Sequence, residues 1–115
     1  MGIFSRRSDS RPVPTSSFSA DIHDAIAFGA RDVVLLSVIT FGKVNAGQTA
    51  VYTLNEQRHT VKIARIDRDH KRADDAQNGD QVGLIVEGLP AGALPRDSFG
   101  KVDTAALQDA VIGWS

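Results

Sequence analysis

Six cations fall within fifteen residues: Arg58, Lys62, Arg65, Arg68, Lys71 and Arg72, opposed there only by Asp67 and Asp69. The stretch is therefore +4 before His59 and His70 are considered. Clustered guanidinium and ammonium groups are what repeated phosphate contacts require, and such binding weakens steeply with salt. Arg65, Arg68, Lys71 and Arg72 are accordingly the candidate RNA-binding residues. The competing reading is a solvated face whose charges pair locally with Asp67, Asp69, Asp74 and Asp75. Stacking partners are short, because Tyr52 is the single tyrosine and no aromatic residue lies between positions 55 and 98.

Other chemistries fail on spacing. An oxygen-ligand calcium loop begun at Asp67 would need an oxygen ligand, Gly and Glu where the chain has Lys71, Arg72 and Asn78. His23, His59 and His70 lack the i, i+4 spacing of a zinc helix, and the chain has no Cys, which removes thiolate metal sites, disulfides and thiol catalysis. No G-x-S-x-G nucleophile elbow occurs. A Ser–His–Asp set can be assembled on paper from any chain with three His and 12 Asp, so it carries no weight. No metal, no cofactor and no catalytic residue is expected, and the chain reads as a non-enzyme.

A second candidate surface lies at positions 107–114. Leu107, Val111 and Trp114 either seal an open end of the fold or stand out as an apolar anchor for a protein partner, a role in which aromatic residues are common.

These residues need a scaffold. The 115-residue chain is 42% hydrophobic and 23% charged with a net charge of −1, which suits one globular domain and supplies no global field for nucleic acid. No apolar run exceeds four residues, Val33–Leu36 being one, against roughly 20 for a membrane span. Residues 1–17 are rich in Ser, Arg and Pro and read as a disordered arm. That arm lacks the apolar core of a secretion signal and has Arg6 where an acylation motif wants Ser or Thr. A cytoplasmic location is the expectation. The excess of Asp over Glu (12 to 2) and of Arg over Lys (9 to 4) points to a GC-rich bacterial source.

From Phe18 onward the pattern is that of short strands. Phe18, Ala20, Ile22, Ile26 and Phe28 alternate, with Asp24 interrupting, while Ile22, Ala25, Ile26 and Gly29 also satisfy helical spacing. Asp32–Phe41 is apolar at nearly every position, as in a strand covered on both faces. Gln48–Leu54, Thr60–Ile66 and Val82–Val86 follow as strands, with Asp97–Val102 a short further one. A charged turn region spans Asp67–Asp80, and Gly88–Pro95 is a loop. Asp103–Val111 reads as a short helix capped by Asp103. The division is an arm at 1–17, a β-barrel at 18–102 and a short helix with tail at 103–115.

The stretch Ala76-Gln77-Asn78-Gly79-Asp80-Gln81-Val82-Gly83-Leu84 resembles the A-x-x-G-D-x-V-G-L core of the second domain of translational GTPases such as elongation factor Tu. Phe41–Gly47 is similar to that family's T-G-(R/K)-V-x-x-G turn, and Phe18–Ala25 to its opening F-x-x-x-I-x-D-(V/A). Leu94–Phe99 stands at its I-x-R-G-D-(V/L) segment, with Asp97 where the family has Gly. The resemblance covers about residues 18–100 and implies a small antiparallel β-barrel of six or seven strands. The family's GTP-binding domain has no counterpart: no G-x-x-x-x-G-K-(S/T) loop occurs, so GTP is not an expected ligand. The function expected is a stand-alone adaptor barrel that contacts a protein partner, with self-association as one form. The alternative is an RNA- or ribosome-binding module using the basic stretch.

Overall fold

Strand propensity and turn chemistry together generate eight strands in the computed structural model, which describes residues 16–28 and 32–114. They are β1 (Phe18–Phe28), β2 (Asp32–Asn45), β3 (Thr49–Leu54), β4 (Gln57–Arg68), β5 (Lys71–Ala73), β6 (Asp75–Gln77), β7 (Gln81–Glu87) and β8 (Val111–Trp114). One short helix, α1, spans Thr104–Leu107. Six strands close into an antiparallel ring in the order β1-β8-β3-β4-β7-β2, with β2 returning to β1. The small pieces lie outside that ring: β5 folds back on the end of β4, and β6 pairs the end of β2. This is the expected small antiparallel barrel, closed by six of the six or seven strands anticipated, with two further strands outside the ring and a short helix near its C-terminal end.

The interior is filled by side chains, as in other small barrels. Ala20, Ile22, Leu35, Ile39, Ala50, Tyr52, Ile63, Leu84, Val86 and Ile112 are wholly or almost wholly buried and come from all six ring strands. Turn geometry fixes the registers. The β3–β4 connection is a two-residue turn with both residues left-handed, Asn55 at φ 52° and Glu56 at 69°. The β4–β5 connection repeats it with Asp69 at 55° and His70 at 63°. Such turns match the twist of the flanking strands, and Asn-Gly is their preferred sequence. A buried glutamine ties the chain entering β1 to the β2–β3 turn. The Gln48 amide accepts from the Asn45 N–H (2.8 Å) and donates to the Ser16 carbonyl (3.0 Å), so its burial leaves it satisfied.

Several sequence expectations are corrected. Register shifts at Ile22/Asp24 in β1 and at Ile63/Arg65 in β4 break strict alternation. In β1 the shift makes Ala25 the next inward residue after Ile22 and turns Ile26 to solvent. The outer face of β2 is uncovered by any described element: Leu36 is exposed, and Val34 and Val38 are half-buried. The region 67–80 contains β5 and β6 rather than only turn. Asp97–Val102 is a loop crossed by a single Arg96–Val102 bridge. The helix stops at Leu107, and residues 111–114 form β8, which closes the ring between β1 and β3. Of the arm expected at 1–17, all but Ser16 and Ser17 lies outside the described residues.

Candidate functional site

With the interior filled by side chains, candidate binding groups among the described residues sit on the outer surface, and three regions gather most of them. The first is the basic end formed by the β4–β5 hairpin. Arg65 is exposed on β4, and its Nη2 lies 3.1 Å from Asp67 Oδ2. Arg68 pairs with Asp80 at 3.3 Å and also donates to the Asp75 carbonyl at 3.4 Å. Asp80 in turn accepts from the Gln77 N–H at 2.9 Å, which holds the turn into β7. Lys71 and Arg72 are exposed on β5 and form no ion pair with another described residue. Arg68, Lys71 and Arg72 line one shallow hollow of about 450 Å³, but Asp69, Asp74 and Asp75 line it too. The structure thus gathers three of the four candidate phosphate-binding residues, sets Arg65 apart from the hollow and balances the charge.

The second region flanks β8. Val111 and Trp114 line a cleft of about 380 Å³ with Phe18, Val51, Thr53 and Arg58. Gly113 forms part of its floor, where an added Cβ would lie 2.6 Å from the Phe18 carbonyl oxygen. Backbone contact between β1 and β8 therefore requires glycine at this position. Leu107 does not join the cleft. It is the fully buried last residue of α1, whose first turn is capped by the Asp103 carboxylate accepting from the Ala105 and Ala106 N–H groups at 3.1 and 3.2 Å. Of the three candidate interface residues, Leu107 is core, Trp114 is half-buried against the core at the cleft's edge, and Val111 is exposed.

The third region was not singled out in the sequence. Outward residues of β2 and β7 form a cleft of about 570 Å³, floored by Val34, Leu36, Val38 and Gly83 and walled by Asp67, Asp69, His23 and His70. Its signal was the apolar run of β2, read as a strand covered on both faces. Elsewhere, Tyr52 donates from its hydroxyl to the Ala93 carbonyl at 3.3 Å, and burial raises its phenol above the ordinary value of 10.0. The phenol is a structural group held neutral. Among the described residues no cluster of three or more His, Asp or Glu could hold a metal ion, and no helix is long and apolar enough to cross a membrane.

No protein-family model matches the sequence, and no curated protein matches it. Solved structures do match. The apo form of translation elongation factor SelB from Methanococcus maripaludis aligns over 90% of this chain at a TM-score of 0.66 and 17% identity. The backbone is similar to a translational-GTPase barrel. The same factor in complex with the GTP analogue GPPNHP gives 0.64 and 19%, again over 90% of this chain. The GTPase-like domain of Ski7 from Saccharomyces cerevisiae, bound to GTP, gives 0.63 and 14% over 94%. The translation-factor-like barrel spans only 20% of the SelB chains and 25% of the Ski7 chain. At such identities the likeness is one of fold, and it agrees with the second-domain resemblance carried by Ala76–Leu84.

Proposed function

We propose that this chain is a non-enzymatic binding module, a translation-factor-like barrel that docks a protein partner in the cleft beside β8. The observation that carries this reading is the outward placement of Val111 and Val51 around Arg58, with Trp114 half-buried against the core at the edge of the same cleft. Aromatic and arginine side chains at the centre of a contact dominate many protein interfaces. GTP is not part of the proposal, because the sequence has no phosphate-binding loop. The test is affinity capture from the source cell's lysate, with wild type and a Val111→Asp variant of verified thermal stability. A protein retained by wild type and lost by the variant supports the reading; identical captures overturn it.

The second reading, contact with RNA or the ribosome, is favoured by one observation: Lys71 and Arg72 are exposed without ion-pair partners among the described residues. Binding to total RNA and to ribosomes, compared with a variant carrying Ala at Arg65, Arg68, Lys71 and Arg72, separates it from the first. Four phosphate contacts would lower affinity by roughly a hundredfold between about 50 and 200 mM salt, and the variant would lose that dependence.

A further inference from the structure

A strand with one face in water normally alternates apolar and polar residues, because outward apolar side chains gain nothing from burial. β2 breaks that rule: its outward positions include Val34, Leu36 and Val38. On the neighbouring β1, Ile26 faces outward opposite Val34 and is 45% exposed, while Asp24 stands opposite Leu36, which is 38% exposed, and Asp21 opposite Val38. On the other side β7 places Gly83 opposite Leu36. No side chain rises from that position, and a Cβ there would lie 3.3 Å from a Val34 methyl. The result is an apolar floor centred on β2 and bordered by charged groups, the kind of surface that marks an interaction site.

The charges around the face indicate what covers it. Asp67 and Asp69 form one wall of the cleft, and Asp69 also lines the adjoining hollow with Lys71 and Arg72. Each molecule therefore carries an acidic and a basic group side by side along one border of the apolar face. A two-fold interface requires a patch complementary to itself, in which each group meets its counterpart on the other copy. Asp69 beside Lys71 and Arg72 satisfies that requirement, with Asp74 and Asp75 lining the same hollow, whereas the carboxylates would repel nucleic acid. A net charge of −1 leaves little repulsion between copies.

We infer that the outer face of β2 is a self-association surface, on which two copies pack Ile26, Val34 and Leu36 about a two-fold axis with Asp69 of each opposite Lys71 and Arg72 of the other. This contact is separate from the β8 cleft and does not depend on the function proposed for it.

Sedimentation equilibrium and light scattering on the full chain, from about 1 to 200 µM, test the inference. The expected result is a mass rising with concentration from 12.3 kDa toward twice that value. Leu36→Asp should weaken the dimer at least about tenfold. Ile26→Lys provides a second break at a more exposed position, and the melting temperature of each variant verifies its fold. Asp69→Lys and Lys71→Glu should each weaken association, and the two together in one chain should restore it. A chain that stays monomeric throughout the range overturns the inference and leaves the face to a different protein. A dimer indifferent to Leu36→Asp and Ile26→Lys, or one broken only by Val111→Asp, overturns it as well.

Discussion

The six-stranded ring and the β5–β6 extension share the strands β4 and β2 but are held by different forces. Within the ring, β4 contributes Val61, Ile63 and Ile66 to a buried aliphatic core. Beyond Ile66 the same strand turns into a charged hairpin, tied by Arg65–Asp67 and Arg68–Asp80 with Lys43–Asp75 nearby. Those side chains are between 27% and 51% exposed, which puts them in the class of ion pairs worth little to stability. In the extension, Val44 and Ala76 are buried where they pair across β2 and β6, and Ala73 of β5 packs half-buried against the core. The contrast teaches that the candidate phosphate-binding charges sit where the fold depends on them least, so their role can be tested without unfolding the barrel.

The sharpest test of that contrast is Leu84→Ala in the centre of β7. Leu84 is fully buried, and its truncation should cost about 2–5 kcal/mol in urea unfolding, including the cavity left behind. If the loss were under about 1 kcal/mol, the packed interior would not be what holds the ring. Next is Gly113→Ala at the seam between β1 and β8, where the added methyl meets the Phe18 carbonyl. A loss of about 1–3 kcal/mol is expected from forced backbone shifts.

The two left-handed turns separate the regions directly. Glu56→Gly relieves strain in a turn of the ring and should raise global stability by about 0.5–1 kcal/mol. His70→Gly relieves equal strain in the extension, but its gain should appear mainly as slower hydrogen exchange of the β4–β5 amides. Equal effects on the global transition would show that the extension unfolds with the ring.

Tyr52→Phe removes the bond to Ala93 and should cost under about 1 kcal/mol at neutral pH. The phenol is raised in the folded state, so its contribution is complete below the unfolded value of 10.0 and is lost as pH rises toward the folded one. Alkaline unfolding of the variant should therefore be shallower, and ultraviolet titration of the single tyrosine reports the wild-type phenol directly. The smallest effect belongs to Arg65→Ala, at about 0.5 kcal/mol or less, vanishing as salt is raised.

Much of this architecture was legible because local chemistry and tertiary role agree. Val82, Leu84 and Val86 alternate as an inward face, Gly79 makes the left-handed turn before them, and the Ala76–Leu84 pattern carried the barrel resemblance. Legibility failed where pairing across the sheet overrides local period. Asp24 spoiled the alternation of β1 because a bulge lies there, which no count of alternate residues reveals. Val111–Trp114 looked like the end of a helix because Leu107, Ala110 and Val111 share helical spacing, yet the open edges of β1 and β3 recruit those residues as a strand. The basic stretch was visible as a run of charges, but the Arg68–Asp80 pair depends on the turns that bring Asp80 back to Arg68. The outer face of β2 was visible only as excess hydrophobicity; that no described element covers it is a property of the ring.

The position of β8 also has a consequence for the chain during its synthesis. Translation has to proceed through Trp114, and that segment has to leave the ribosome, before the ring can close. Until then a nascent barrel keeps two unpaired strand edges, on β1 and on β3, each able to accept a strand from another chain. Closure is thus a late event, and slowing elongation would prolong the open, aggregation-prone state rather than help the protein fold.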